Sequence, residues 1–349
     1  MQLLWKGVYT MSDVIILGIE SSCDETSISI VKNGCEEIAT TVATQMDTHA
    51  HYGGVVPEIA SRMHTECITL VLEDVLKKAN MQVSDVDAIA VTYAPGLLGS
   101  LLVGVEFAKV LSFVYKKPLI ATHHIAGHIY ANNLVKKMEF PLLALVVSGG
   151  HTELVVMKGD YDFEVLGTTL DDAIGECYDK VARVLGLPYP GGPNVEKYAK
   201  QGKPTYKLPI PMNNEELNFS YSGLKSAVIN LAHNELQRGQ ELNKYDLASS
   251  FQEIAVDELV RKTRLALSKT GIKRLIVAGG VSANGYLRSE IGRLCEELNV
   301  DLSIPPLKYC TDNATMIACA AYPQYLKGDF SDLSLKAKSQ EYFFEQKVE

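Results

Sequence analysis

VIILGIESSCDETSISIV, residues 14–31, decides the fold. The apolar run 14–19 reads as a buried strand, Glu20 to Thr26 as a polar turn, and 27–31 as a second strand. The device returns half a chain later in LLALVVSGGHTELVVM, residues 142–157, where the run breaks at Ser148-Gly149-Gly150-His151-Thr152 and resumes at Glu153. Duplication is the simplest explanation. Helices and strands alternate around these units. Pro57 suits a first helical position, and Ile59, Met63, Cys67, Leu70, Val71 and Val75 are expected to line the buried face of a helix ending near Asn80. Further strands are predicted at 87–93, 119–123 and 274–278. Helices are predicted at 97–115, 171–186, 191–201, 221–233, 245–270, after Asn284 and at 314–326. This alternation implies an α/β protein layered around a mostly central sheet. Residues 204–218, rich in Pro and Asn, are the longest expected loop.

At 349 residues the chain exceeds one ordinary core and suits two domains with a cleft between them. A hydrophobic content of 47% with 21% charged residues describes a soluble globular protein. The greasiest segment, 97–115, carries Glu106 and Lys109, so no membrane span is expected. The opening residues MQLLWKGVYT lack the length and cleavage site of a signal peptide, which makes Met11 a candidate start and residues 1–12 a leader. Seven scattered cysteines with no CxxC pair imply reduced thiols and a cytoplasmic setting. The net charge of −9 argues against a surface that grips nucleic acid as a whole, so RNA contact must be local or shared with a partner.

The residues that bear chemistry begin with HHIAGH, residues 123–128. If a helix starts near His124, then His124 and His128, four residues apart, point to one side and can grip a single metal ion. A zinc protease needs Glu directly after the first histidine, and Ile125 stands there. Histidines at this spacing also occur as plain surface or core residues. Asp312, just ahead of the helix at 314–326, reads by default as a helix cap and equally as a third ligand. Two imidazoles and one carboxylate leave coordination positions open and suit iron(II), with zinc or magnesium as alternatives.

Glycine turns at 95–96, 148–150, 190–193 and 279–284 let backbone amides approach phosphate or sugar. Each alone is ordinary turn chemistry, but several in one duplicated α/β chain favour a nucleotide cleft. Asp24 and Glu25 sit where a carboxylate orients a cation or a reacting group, or simply caps a solvated loop. Asp171, Asp172, Glu176 and Asp179 read mostly as the solvated face of a helix. Arg261, Lys262, Arg264, Lys269, Lys273 and Arg274 form a candidate phosphate-contacting surface, with a solvated helix face as the plainer reading.

Taken in order, GIESSCDET (18–26), HYGGVVPEIASRMH (51–64), PGLLGSLLVG (95–104), HHIAGH, LVVSGGHTEL (145–154), CYDKVARVLGLPYPGGP (177–193), FSYSGLKSA (219–227), AGGVSAN (278–284) and CTDNATMIA (310–318) resemble the tRNA N6-adenosine threonylcarbamoyltransferase family. This family, TsaD in bacteria, is a branch of the actin, sugar kinase and Hsp70 ATPase superfamily. The match runs from about Val14 to Lys327.

The resemblance implies a duplicated actin-like ATPase fold with a nucleotide cleft between two domains. Residues 13–141, completed by a C-terminal helix at 312–330, would form the first domain and 142–311 the second. It implies His124, His128 and Asp312 as metal ligands. Val146, Val147, Ser148, Gly149 and Gly150 match positions at the substrate phosphate; Asp179, Gly192 and Asn284 match nucleotide contacts, and Glu196 an acidic ribose contact of some members. Asp24 and Glu25 match carboxylates needed for activity. The implied reaction moves a threonylcarbamoyl group from threonylcarbamoyl-AMP to the exocyclic amine of the adenosine beside the anticodon, in tRNAs reading codons that begin with A. ATP is a further possible ligand. Expected partners are tRNA, a TsaB-like paralogue and a TsaE-like small ATPase, with no membrane. Two rival readings stand beside it: a metalloprotease built on the histidine pair, and an ATP-dependent kinase of the same superfold.

Overall fold

Strand β1 (Ile15–Glu20) lies between an antiparallel neighbour, β2 (Glu25–Lys32), and a parallel one, β4 (Ala88–Ala94). A central strand covered on both faces needs apolar side chains throughout, hence the unbroken run in the sequence. The computed structural model describes residues 13–239 and 241–341; the expected leader, 1–12, lies outside them. The first sheet is completed by β3 (Glu36–Thr44) beyond β2 and β5 (Leu119–His123) beyond β4. In the second sheet β6 (Leu142–Val147) is central. It pairs antiparallel with β7 (Thr152–Gly159), which pairs with β8 (Asp162–Thr168), and parallel with β9 (Arg274–Ala278), followed by β10 (Asp301–Ser303). The orders β3-β2-β1-β4-β5 and β8-β7-β6-β9-β10 are one topology written twice, so the expected duplication is present.

Two helices are held between the sheets. α4 (His124–Tyr130) follows β5 without a loop, and α10 (Ala314–Lys327) comes from the far end of the chain. Their Ile125, Ile129, Met316 and Ile317 share one core with Ile16 and Ala90 of the first sheet and with Leu142, Val146 and Ile276 of the second. α10 can lie close to β1 because Gly18 has no side chain: a Cβ there would stand 2.5 Å from the Ala314 carbonyl oxygen and 3.0 Å from Ala318 Cβ. Gly18→Ala is therefore expected to lower stability by about 1–3 kcal/mol through overpacking. An unchanged denaturation midpoint would show that α10 moves away freely.

The remaining helices coat the outer faces. α2 (Pro57–Ala79) begins at the expected proline and ends at Asn80, but its buried row is Ala60, His64, Ile68, Val71 and Val75, and Leu70 is 62% exposed. The expected face is thus rotated, because His64 enters the core by bonding Thr26 Oγ1 at 2.6 Å and the Cys23 carbonyl at 2.9 Å. α3 (Leu98–Tyr115) is, among the described residues, the one helix that passes for a membrane span by length and composition, a test that the core helix of a globular protein also passes. Here its Leu101, Gly104, Val105, Ala108 and Leu111 row is buried on the first sheet side, and Glu106 pairs with Lys109.

On the second sheet lie α5 (Ile174–Val184), α6 (Gly191–Ala199), α7 (Ser222–Gln237), α8 (Lys244–Thr270) and α9 (Gly285–Leu298). Within the basic stretch Lys262 is buried, while Lys269 and Lys273 are exposed and the other side chains are engaged in bonds within the chain. Arg261 donates to the Pro211 and Met212 carbonyls, buried Lys262 to Asn214 and Glu216, and Lys269 to Glu215, so α8 pins the long 204–218 loop. Arg264 pairs with Glu297, Lys273 donates to the Leu298 carbonyl, and Arg274 pairs with Glu139. Asp171 and Asp172 precede α5 rather than belonging to it. Asp171 accepts from the Tyr221 and Ser222 amides at the start of α7, and Asp172 pairs with Lys180 and Lys225.

Candidate metal centre and the loops around it

His123 ends β5 and its ring accepts a hydrogen bond from the Ile125 amide, which starts α4 with His124 as first residue. One turn later comes His128, its ring centroid 4.7 Å from that of His124. Asp312 arrives from the loop before α10. It is not the helix cap: Asn313 takes that place by accepting from the Met316 amide, which frees the Asp312 carboxylate to face the histidines. Asp312 Oδ1 lies 3.5 Å from His124 Nε2 and 3.2 Å from His128 Nε2. Ligands about 2.0–2.1 Å from a tetrahedral ion stand about 3.3–3.4 Å apart, and these separations fit that edge.

His128 adds a second test of fit. Both of its ring nitrogens are buried and neither makes a hydrogen bond, although Nε2 faces Asp312 at short range. A buried imidazole without a hydrogen bond is costly unless something else satisfies it, and a shared cation does. The three ligand atoms lie within 4.8 Å of one another, the one such group among the described residues. Burial opposes charge on Asp312, yet His124 and His128 hold its carboxyl well below the usual range. Buried Glu20 stands on the other side of His124, with Oε2 3.1 Å from Nδ1.

The Ser148-Gly149-Gly150 turn closes on itself through the Ser148 amide to the His151 carbonyl, 2.8 Å, and the His151 amide to Ser148 Oγ, 3.1 Å. A Cβ on Gly149 or Gly150 would meet nothing within 4 Å, and both residues are exposed. Val146 and Val147, by contrast, are fully buried in β6, and their side chains belong to the cores. The turn adjoins the metal ligands: burial first, then the charges of His124 and His128, push His151 down to about 4.

Farther along, Asp179 on α5 accepts from the Gly191 amide at 2.7 Å and so holds the start of α6, where Gly192 is open. Glu196 on α6 accepts from the Gly285 amide at 3.0 Å and pairs with Lys200. Asn284 caps α9 by accepting from the Leu287 amide, and its amide group donates to Gln252. Asp179 and Glu196 thereby place their carboxylates at the N-termini of α6 and α9, where negative charge is favoured, with Gly192 and Asn284 in the same two turns.

From the first lobe, the turn bearing Asp24 and Glu25 faces this assembly. Burial first, then the carboxylates of Asp24 and Asp179, push up the hydroxyl of Tyr189, which the sequence reading did not single out, and burial with a smaller push from Asp24 raises Asp179. Burial, then Asp24 and Asp312, push Glu25 up to about 9, so it keeps its proton at neutral pH. Between 4.5 and about 9 the folded chain holds a proton that the unfolded chain has released, so Glu25 lowers stability increasingly as pH rises through that window. Glu25→Gln is expected to be more stable than wild type by roughly 1–2 kcal/mol, with the gap widening from pH 5 to 9 in thermal melts. A gap that narrows with pH would contradict this.

A family model described as tRNA N6-adenosine threonylcarbamoyltransferase matches residues 36–319. The enzyme of that name from Anoxybacillus flavithermus is 56% identical over 327 residues, covering 93% of this chain and 96% of the relative. The one from Bacillus thuringiensis (strain Al Hakam) is 55% identical over 334 residues, covering 95% and 97%. The chain belongs to this family. It is accordingly a transferase that acts in threonylcarbamoyladenosine modification of tRNA.

Among solved structures, HypF of T. kodakarensis superposes with a TM-score of 0.59 at 15% identity, over 93% of this chain and 49% of HypF. Component A of the Acidaminococcus fermentans (R)-2-hydroxyglutaryl-CoA dehydratase gives 0.52 at 15%, over 90% and 99%. At such identity the likeness speaks to fold alone, the two-domain actin-like ATPase fold.

Proposed function

We propose that the chain transfers the threonylcarbamoyl group of threonylcarbamoyl-AMP to the exocyclic amine of the adenosine next to the anticodon, in tRNAs reading codons that begin with A. The observation that carries this reading is the convergence of His124, His128 and Asp312 beside the open Ser148–Gly150 turn, in a chain of this family. We divide the chain into 13–141 with the helix at 312–330, and 142–311, because each part owns one sheet and α10 packs on β1.

The adenosine amine is a weak nucleophile, since its lone pair is delocalised into the purine, and an activated mixed anhydride answers that weakness. The acidic side chains at the site leave the donor's phosphate to be seated by backbone amides and a cation. His124, His128 and Asp312 would hold one divalent ion, iron(II) by preference and zinc or magnesium otherwise, which supplies Lewis acidity and charge to the phosphate. The amides of Gly149 and Gly150 would orient the phosphate, and Asp179, Gly192, Glu196 and Asn284 around the starts of α6 and α9 the nucleoside; ATP is proposed as a ligand of the same contacts. Pre-aligned amides stabilise charge on the departing AMP. As the amine nitrogen bonds to the carbonyl carbon and the anhydride bond breaks, the amine proton passes to Asp24.

The proposed partners are tRNA, a TsaB-like paralogue and a TsaE-like ATPase, in the cytoplasm. An outward apolar face on α3, made of Leu98, Leu102, Val110, Phe113 and Val114, supports a protein partner, and the net charge of −9 supports shared tRNA binding. The test combines the chain, these partners, undermodified tRNA and threonylcarbamoyl-AMP, with modified adenosine read by mass spectrometry. No product refutes the proposal. Metal-dependent peptide cleavage lost in His128→Ala would restore the protease reading, which now lacks a base because the position after His124 holds the buried Ile125. Transfer of the ATP γ-phosphate to a sugar would restore the kinase.

A further inference from the structure

We infer that Glu20 is a positioning residue, one that aims the His124 ring at the cation seat and fixes which of its nitrogens is offered. The inference rests on the metal reading above and adds to it a side chain outside the ligand set. Glu20 ends β1 and is fully buried. Its Oε1 accepts from the Ser22 amide at 2.6 Å; its Oε2 accepts from Thr92 Oγ1 of β4 at 2.6 Å and faces His124 Nδ1 at 3.1 Å. A buried carboxylate is costly, and the backbone pairing of β1 with β4 does not need it.

An ionised carboxylate accepts only, so each of its partners must donate. His124 Nδ1 then carries the hydrogen, with Ser22 Oγ beside it at 3.2 Å, and the lone pair falls on Nε2, the nitrogen that faces Asp312. A carboxylate on the far ring nitrogen fixes a ligating histidine's tautomer and orientation and raises its basicity. Because Glu20 and Thr92 sit on adjacent strands, the first sheet itself sets the angle of the first residue of α4. The support is one-sided: neither ring nitrogen of His128 has a hydrogen bond.

The test is a double-mutant cycle read by metal affinity, with Zn²⁺ as probe in competition with a chromogenic chelator. Gln at this position has one oxygen for three donors. E20Q is expected to weaken Zn²⁺ binding about 10–100-fold in the wild-type background and by less than about 2-fold in His124→Ala, where residual binding no longer uses that ring. The visible spectrum of the Co²⁺-loaded full chain should change with E20Q as well. Equal Zn²⁺ affinity in E20Q and wild type overturns the inference, and so does an equal loss in the His124→Ala background. Should E20Q fail to fold, Thr92→Val frees Oε2 while keeping the charge, with an expected loss of about 3–10-fold, and no loss there overturns the inference too. Zn²⁺ binding that persists undiminished in a His124→Ala/Asp312→Ala chain would instead remove the metal reading itself.

Discussion

Replacing His124 and Asp312 together with alanine should leave a folded chain that transfers threonylcarbamoyl at least about 10³-fold more slowly, the loss expected when several kcal/mol of charge stabilisation are removed. The two residues are far apart in sequence, on α4 and just before α10, and both helices are held by the core between the sheets. That core does not depend on the two polar side chains, so the circular dichroism spectrum should be retained. The measurement is single-turnover formation of modified adenosine with excess enzyme. Product at the wild-type rate would show that the three convergent side chains play no part in transfer.

Asp24→Asn is expected to slow the same step by about 10²–10⁴-fold, the usual contribution of a positioned proton acceptor. Asn preserves the volume and the backbone bond from the Gln45 amide to the residue 24 carbonyl, but it cannot take up a proton. Burial and its acidic neighbours push the Glu25 carboxyl up, which disfavours its ionised form. Donor binding should change far less than turnover. If Asp24→Asn weakened binding and left the single-turnover rate intact, Asp24 would be a binding contact and the base would lie elsewhere.

The strands that were readable are those buried on both faces. β1 and β6 announce themselves as apolar runs, and the turns after them carry Asp24, Glu25 and the Ser148–Gly150 amides. β3 and β8 were not anticipated, since they lie at sheet edges with Thr, Glu and Asp partly exposed, and β10 is only three residues long. The face of α2 was misjudged because His64 counts as polar in any hydrophobic pattern, whereas its partners Thr26 and Cys23, 38 and 41 residues away, carry it into the core. Helical spacing exposed the His124 and His128 pair. It left Asp312 undecided between cap and ligand, because Asn313 is as good a cap and only the folded chain shows which of the two caps.

The same limit applies to charge. Lys262 and Arg261 look like a phosphate surface in sequence and are consumed by the carbonyls of the 211–216 segment in space. Glu20 reads as the first residue of a turn; its neighbours Thr92 and His124 stand 72 and 104 residues away, beyond what local pattern conveys.

The most direct measurement is an anomalous-difference map from crystals of the chain grown with Zn²⁺, recorded at the zinc edge. One peak is expected about 2.0–2.2 Å from His124 Nε2, His128 Nε2 and an Asp312 carboxylate oxygen together. An absent peak, or a zinc ion bound elsewhere while these three side chains merely pair with one another, would contradict a cation seat at the seam between the two sheets.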